Sequence, residues 1–326
     1  MSPLNAWRSL NPQQKKSGIA GWLGWMFDGL DLHLYTLVAI PFVTALMLSD
    51  VHFQGLDPAG LSAVVDRNAS IIQAAFLVGW AFGGAVFGVI GDKLGRSRTL
   101  VLTILCYSIF CGLSSFAQNW WQLMICRFLS ALGIGGEWAV GAALISETFP
   151  KSWRPWLAGV LQTAVNVGIL LACVAGWAMQ SVDPRWIFLV GVAPALITLW
   201  IRRAVPEPEE WHAAREQAAR PRIRDLFAAG QASVTWRVLI ICAVALTAHW
   251  AFMFWQQKFI RTHEAISVLD VAGRNRAAAT ALAVIVGSSI AGNFLASLLA
   301  VRWGYARAMA AMVASYRALK HTAKVS

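Results

Sequence analysis

The chain has 326 residues, 58% of them hydrophobic and only 13% charged, with a mean hydropathy of +0.57. Soluble domains carry about 25% charged residues, so this balance excludes an ordinary soluble domain and indicates a polytopic helical membrane protein. The formal net charge of +11 would suggest nucleic acid in a soluble chain. Here the bases collect in segments between apolar runs, the positive-inside pattern, and no aromatic–basic motif accompanies them, so no nucleic-acid partner is expected.

The first 16 residues are polar, and no cleavable signal is expected before the first run. Asn11-Pro12 reads as a helix cap followed by proline at the first helical position. A long apolar run over 18–48 predicts the first span, and the acidic segment 49–68 is placed outside. Spans two to six are predicted over 69–91, 99–117, 120–145, 156–181 and 186–201. A charged hairpin over 88–98 joins spans two and three, and a second, Glu147 to Pro155, joins spans four and five.

Residues 202–236 are polar and proline-containing, with acids early and bases late. This predicts a cytoplasmic linker with short amphipathic helices. Spans seven and eight follow over 238–257 and 277–301, then a weaker run over 305–319, making about nine spans. The expected organisation is therefore a six-helix bundle over 1–201, the linker over 202–236 and an incomplete bundle over 237–326. The N-terminus is expected on the cytoplasmic side of an inner membrane. One segment runs against the charge rule: 258–276 is external by alternation yet holds four bases and two acids.

Seventeen tryptophans, many near the ends of runs, fit interfacial anchoring. Five cysteines without a CxxC pair read as small buried hydrophobes, and six histidines lack ligand spacing. No metal, cofactor or enzymatic activity is expected, since no nucleophile–base pair, metal cluster or phosphate loop is found.

Ionisable groups within spans mark function because each costs about 2.5–3.5 kcal/mol or more at a helix centre. Asp28 and Asp31 lie roughly 15–20 Å along the first span, near its middle, and their spacing puts them on one face. They are candidates for proton coupling, or for a structural pair satisfied by a neighbouring base. Arg127 in span four is either a cavity residue for an anionic substrate or one half of a fixed ion pair with Asp31 or Glu137. Glu137 either joins a proton path or serves packing. Gln162, Asn166 and His249 are candidates for lining a substrate pocket, with His33 beside the aspartates. Interhelical hydrogen bonding is the alternative for each.

The hairpin holds Gly88, Asp92, Lys93, Gly95, Arg96 and Arg98. Asp92 ends span two and Glu147 ends span four, where the helix dipole disfavours a negative charge; Arg154 opens span five with the wrong sign as well. Such placements make sense if Asp92 and Glu147 pair between helices with Arg96, Arg98 or Arg154. The runs Gly79-x-x-x-Gly83 and Gly84-x-x-x-Gly88 allow close helix approach. A weak repeat aligns Lys93-Leu-Gly95-Arg-Ser-Arg98 with Arg302-Trp-Gly304-Tyr-Ala-Arg307, at an offset of 209 residues. Two halves of that length imply paired six-helix bundles in roughly 400 residues, so a C-terminally truncated product or fragment is expected.

The motif at 88–98 resembles the signature hairpin between the second and third helices of the major facilitator superfamily. Glu147-x-x-Pro150-x-x-x-Arg154 resembles that superfamily's hairpin after helix four. Arg127-Phe-Leu-Ser-Ala-Leu-Gly133-Ile-Gly135-Gly136-Glu137-Trp138 resembles the helix-four motif of its organic-acid/proton symporters, with Ala131 where glycine is usual. Asp28-Gly-Leu-Asp31 resembles a motif of its sialate, lactate and aromatic-acid proton symporters. The resemblance covers 15–202 well and is thin after 237. It implies proton-coupled symport of a small organic anion by alternating access, by a monomer in the lipid bilayer. Proton coupling would fall to Asp28, Asp31 and Glu137, and substrate contact to Arg127, Gln162, Asn166 and His249. Conformational gating would fall to the two hairpins, which would latch the cytoplasmic side in the outward-facing state. A sugar or polyol porter of the same superfamily, or a non-functional transporter fragment, are the alternatives.

Overall fold

The computed structural model describes residues 10–50, 53, 55–150, 153–179, 182–208, 211–212, 223–228 and 230–322. Its described secondary structure is helical. The first bundle comprises α1 (Pro12–Ser49), α2 (Pro58–Leu94), α3 (Arg96–Ser114), α4 (Trp120–Thr148), α5 (Arg154–Ala178), a 3-10 segment (Pro184–Val192) and α6 (Ala195–Ala204). A short 3-10 turn (Ile223–Phe227) leads to α7 (Ala232–Thr262), α8 (Glu264–Ser267), α9 (Val271–Trp303) and α10 (Tyr305–Thr322). Much of the expected linker, including Glu209, Glu210, Arg215, Arg220 and Arg222, lies outside the described residues.

Seven of these helices are long and apolar enough to cross a membrane: α1 to α5, α7 and α9. The expected sixth span forms as two short pieces. Pro194 has no N–H to continue a helix, and the chain turns between the 3-10 segment and α6 there. The last run forms α10, with Arg307 and Arg317 within it.

Local chemistry sets the helix starts. Asn11 and Gln14 make a reciprocal capping box on α1. Asp57 accepts from Gly60 N–H, with Pro58 opening α2. That cap carries helix into the polar stretch read as loop from the sequence, so α2 begins eleven residues before the apolar run. Asp270 caps α9 in the same way.

The core of the first bundle lies among α1 to α5 and the 3-10 segment. Glycines set its closest approaches. A Cβ at Gly83 would strike the Leu132 carbonyl, and one at Gly135 the Trp80 carbonyl, which locks α2 to α4. Gly29 and Gly168 do the same between α1 and α5, against Val165 and Met26. Gly88 differs from its expected packing role: nothing lies within 4 Å of its missing side chain.

The internal repeat is visible in the backbone. Gly95 joins α2 to α3 at φ 113°, and Gly304 joins α9 to α10 at φ 78°, a left-handed region that favours glycine. Each glycine N–H bonds the carbonyl four residues back, at Gly91 and Ala300. The later half meets the first mainly where α9 packs on α5. There Gly159 receives Ser297, and Asn166 Nδ2 donates to Ser289 Oγ at 2.8 Å.

Candidate functional site

Two acidic groups lie in the middle of the first bundle, and they are satisfied in opposite ways. Asp31 on α1 is paired. Arg127 on α4 donates through Nη1 to both Asp31 carboxylate oxygens at 3.1 Å, and its Nη2 reaches the Asp31 carbonyl at 3.4 Å. Ser130, one turn along α4, donates to Oδ2 at 3.3 Å. Neither charged residue has any exposed surface. The guanidinium carbon lies 4.8 Å from the Phe76 ring centroid, 5.4 Å from Tyr35 and 5.6 Å from Phe188. Three π faces therefore supplement the carboxylate around a weakly hydrated cation. Phe188 comes from the 3-10 segment, whose Gly191 lies against Cys111 and within reach of Asp31. The broken sixth span thus supplies one wall of the ion pair.

The second group is Asp28 with Glu137. Both are fully buried. Glu137 lies in the notch left by Gly24, one turn before Asp28 on α1, and its carboxyl interacts directly with that of Asp28. Among the described residues no ion pair includes either residue and none of the four carboxyl oxygens has a hydrogen bond of good geometry, the Trp138 indole being a donor close to Asp28. Trp138 lies beside Asp28, and its indole stacks on Trp25 at 4.4 Å and meets Trp80 edge-on at 5.3 Å. Tyr107 is buried with its hydroxyl unpartnered among the described residues, and Glu137, Asp28 and Asp31 all act on it electrostatically.

The expected pocket residues are dispersed. Gln162 is half-buried on α5, whereas Asn166 is buried and bonded to Ser289 across the α5–α9 contact. His249 sits on α7, close enough to His33 to act on it electrostatically, while His33 Nδ1 pairs with the Gly29 carbonyl at 3.0 Å. Asn166 and His249 lie where the first bundle meets the later helices. No metal-binding group of three or more side chains occurs among the described residues.

The hairpin at the end of α2 forms an ionic cluster. Arg96 Nη1 meets Asp92 Oδ1 at 2.6 Å, and its Nη2 meets Glu147 Oε1 at 2.7 Å with Nε also donating to Glu147 at 3.1 Å. The acids that end α2 and α4 against the helix dipoles are thus held by one guanidinium. Lys93 and Arg98 are exposed, and the Arg154 side chain lies outside the described residues.

A partner missed in the sequence is Glu207. Its carboxylate accepts the backbone N–H groups of Ser97 and Arg98 at 3.0 and 3.2 Å, capping the start of α3, and it fills the space a Cβ at Gly95 would need. Ser97 Oγ donates to the Val205 carbonyl and Trp211 Nε1 to the Asp92 carbonyl, so Val205, Glu207 and Trp211 all bind the hairpin. The one signal in the sequence is an acid soon after the sixth run, and nothing there indicates its partner.

Residues 22–316 match the Major Facilitator Superfamily profile. The sialic acid transporter NanX of Escherichia coli is 28% identical over 254 residues, covering 75% of this chain and 57% of its own length. The "Probable 4-methylmuconolactone transporter" of Cupriavidus pinatubonensis is 35% identical over 220 residues, 66% of this chain and 48% of its own. A crystal structure of the D-xylose-proton symporter superposes with a TM-score of 0.63 over 89% of this chain and 70% of that one, at 18% identity, a likeness of fold. The chain spans about half the length of the curated relatives it matches. With its two hairpins, its repeated glycine turn and this match over most of its length, the chain belongs to the Major Facilitator Superfamily.

Proposed function

We propose that this chain carries the proton and anion sites of a symporter for a small organic carboxylate, working by alternating access. The observation that supports this most is the contrast between its two buried acidic groups. A charge in the middle of a bundle must be neutralised by a counter-ion or a proton. Arg127 serves Asp31. No cation among the described residues serves Asp28 and Glu137, and two touching carboxyls accept no bond from one another unless a proton joins them.

In this reading the coupled proton rides on the Asp28–Glu137 pair. Transfer to Asp31, one turn from Asp28, releases the Arg127 guanidinium from its carboxylate. Arg127 then takes the carboxylate of the substrate in its place, bidentately. Protonated Asp31, Arg127 and the substrate carboxylate then sum to zero charge, as the Asp31–Arg127 pair did before, the Asp28–Glu137 pair regains its proton from solution, and the bundles rock around the site. Gln162, Asn166 and His249 would contact the rest of the substrate. The hairpin cluster of Asp92, Arg96 and Glu147, with Gly88, Lys93, Gly95, Arg98 and Arg154 around it, would gate the hairpin end. We place that end, with the N-terminus, on the cytoplasmic side of the inner membrane, and the working unit is a monomer. The relatives named for sialic acid and 4-methylmuconolactone support an organic-acid substrate.

The test is a reconstituted vesicle with a pH dye inside. Adding sialate or muconate outside should acidify the lumen in wild type and leave it unchanged in Arg127→Gln. Xylose-driven acidification with no response to either carboxylate would overturn the substrate class.

A further inference from the structure

The end of the molecule opposite the hairpin holds a second contact between the halves. The N-terminus of α1, the C-terminus of α4 and the hairpin share one end, tied by Gln14 Nε2 to the Thr148 carbonyl and by Arg96 to Glu147. α1 then runs to Ser49 at the far end. In its second half stands Pro41, inside the helix. Proline has no N–H, so the carbonyl of Leu37, four residues back, loses its donor within the helix. Leu37 is buried, and an acceptor left bare in apolar surroundings is costly.

The missing donor comes from the other half of the chain. Arg261, in the last turn of α7, donates through Nη2 to the Leu37 carbonyl at 3.0 Å. Its side chain borders a cavity of about 70 Å³ together with Pro41, Gly176, Asp183, Asn275 and Ala279. Its Nε is buried without a partner among the described residues. α7 is otherwise largely exposed along its length. Arg261 also belongs to the basic segment 258–276 that runs against the positive-inside pattern, and this bond gives one of its bases a structural use.

We propose that Arg261 and the carbonyl freed by Pro41 form a gate between α7 and α1 at the far end, closed in the state described. When α7 leaves α1 the carbonyl keeps no protein donor, and water must enter to replace Arg261. The bond therefore favours the closed state, and the proline makes it do so. The gate depends on the two halves moving apart and on neither the proton site nor the substrate.

The test needs no transport. Ala279→Cys places a thiol on the cavity, where residue 279 is buried in the closed state. Its labelling by a charged maleimide is followed in nanodiscs, against the full chain with its five native cysteines. Arg261→Ala should speed labelling about tenfold, the scale of a hydrogen bond to a charged group. Pro41→Ala restores the donor within the helix, so adding Arg261→Ala to it should change the rate by less than about twofold. Equal rates in all four chains, or an Arg261→Ala effect as large in the Pro41→Ala background as with the proline in place, would overturn the gate. Should Arg261→Ala alone fail to reach the membrane, Pro41→Ala is expected to rescue its insertion, and failure of that rescue would overturn the gate as well.

Discussion

At the scale of single residues, Asp31 and Arg127 depend on one another for burial. Removing one charge strands the other in an apolar interior. Asp31→Asn should cost about 3 kcal/mol or more of stability, read as a lower unfolding midpoint in detergent. Asp31→Leu combined with Arg127→Met should recover most of that loss. A double variant no more stable than Asp31→Asn would mean that the pair's neighbours, not its charges, set the cost. The sequence made both residues visible, because charges in spans are rare, and it left open whether Arg127 meets Asp31, Glu137 or substrate. That choice depends on the rotation of α4 against α1, which is fixed by the notch at Gly24 that admits Glu137 and by the rings that enclose Arg127. Such packing has no signature in spacing along one helix.

At the scale of elements, glycines with the same spacing behave differently. Gly83→Ala drives a methyl into the backbone of Leu132, whose Cα and C lie 2.7 Å from the new atom. It should cost about 1–3 kcal/mol by forcing α2 off α4. Gly88→Ala meets nothing and should leave the stability within about 1 kcal/mol of wild type. Equal costs at the two positions would contradict the α2–α4 register. The sequence showed both glycine runs and could not tell which faces a neighbour. The hairpin pairing was more legible, because acids at helix C-termini demand cations, and Arg96 is the one that serves both. The contact with Glu207 was not, since it acts through backbone N–H groups that leave no trace in residue type. Glu207→Gln keeps an acceptor and loses the charge at the α3 N-terminus, and should cost about 0.5–1 kcal/mol. A cost that persists unchanged at high salt would argue for packing instead.

At the scale of the molecule, the two buried acidic groups lie between two ends that are held differently. One end is tied within the first bundle by Arg96, with Val205, Glu207 and Trp211 bonded to the same hairpin. The other is closed between the halves by Arg261. In the proposed function the middle is where a proton and an anion are exchanged against a protein counter-charge. The central claim is that the Asp28–Glu137 pair carries the coupled proton. Proteoliposomes containing Asp28→Asn or Glu137→Gln, loaded with unlabelled carboxylate for counterflow or given an inward proton gradient for accumulation, test it directly. Counterflow of the labelled carboxylate should persist while gradient-driven accumulation falls at least tenfold. Undiminished accumulation in both variants would contradict the claim.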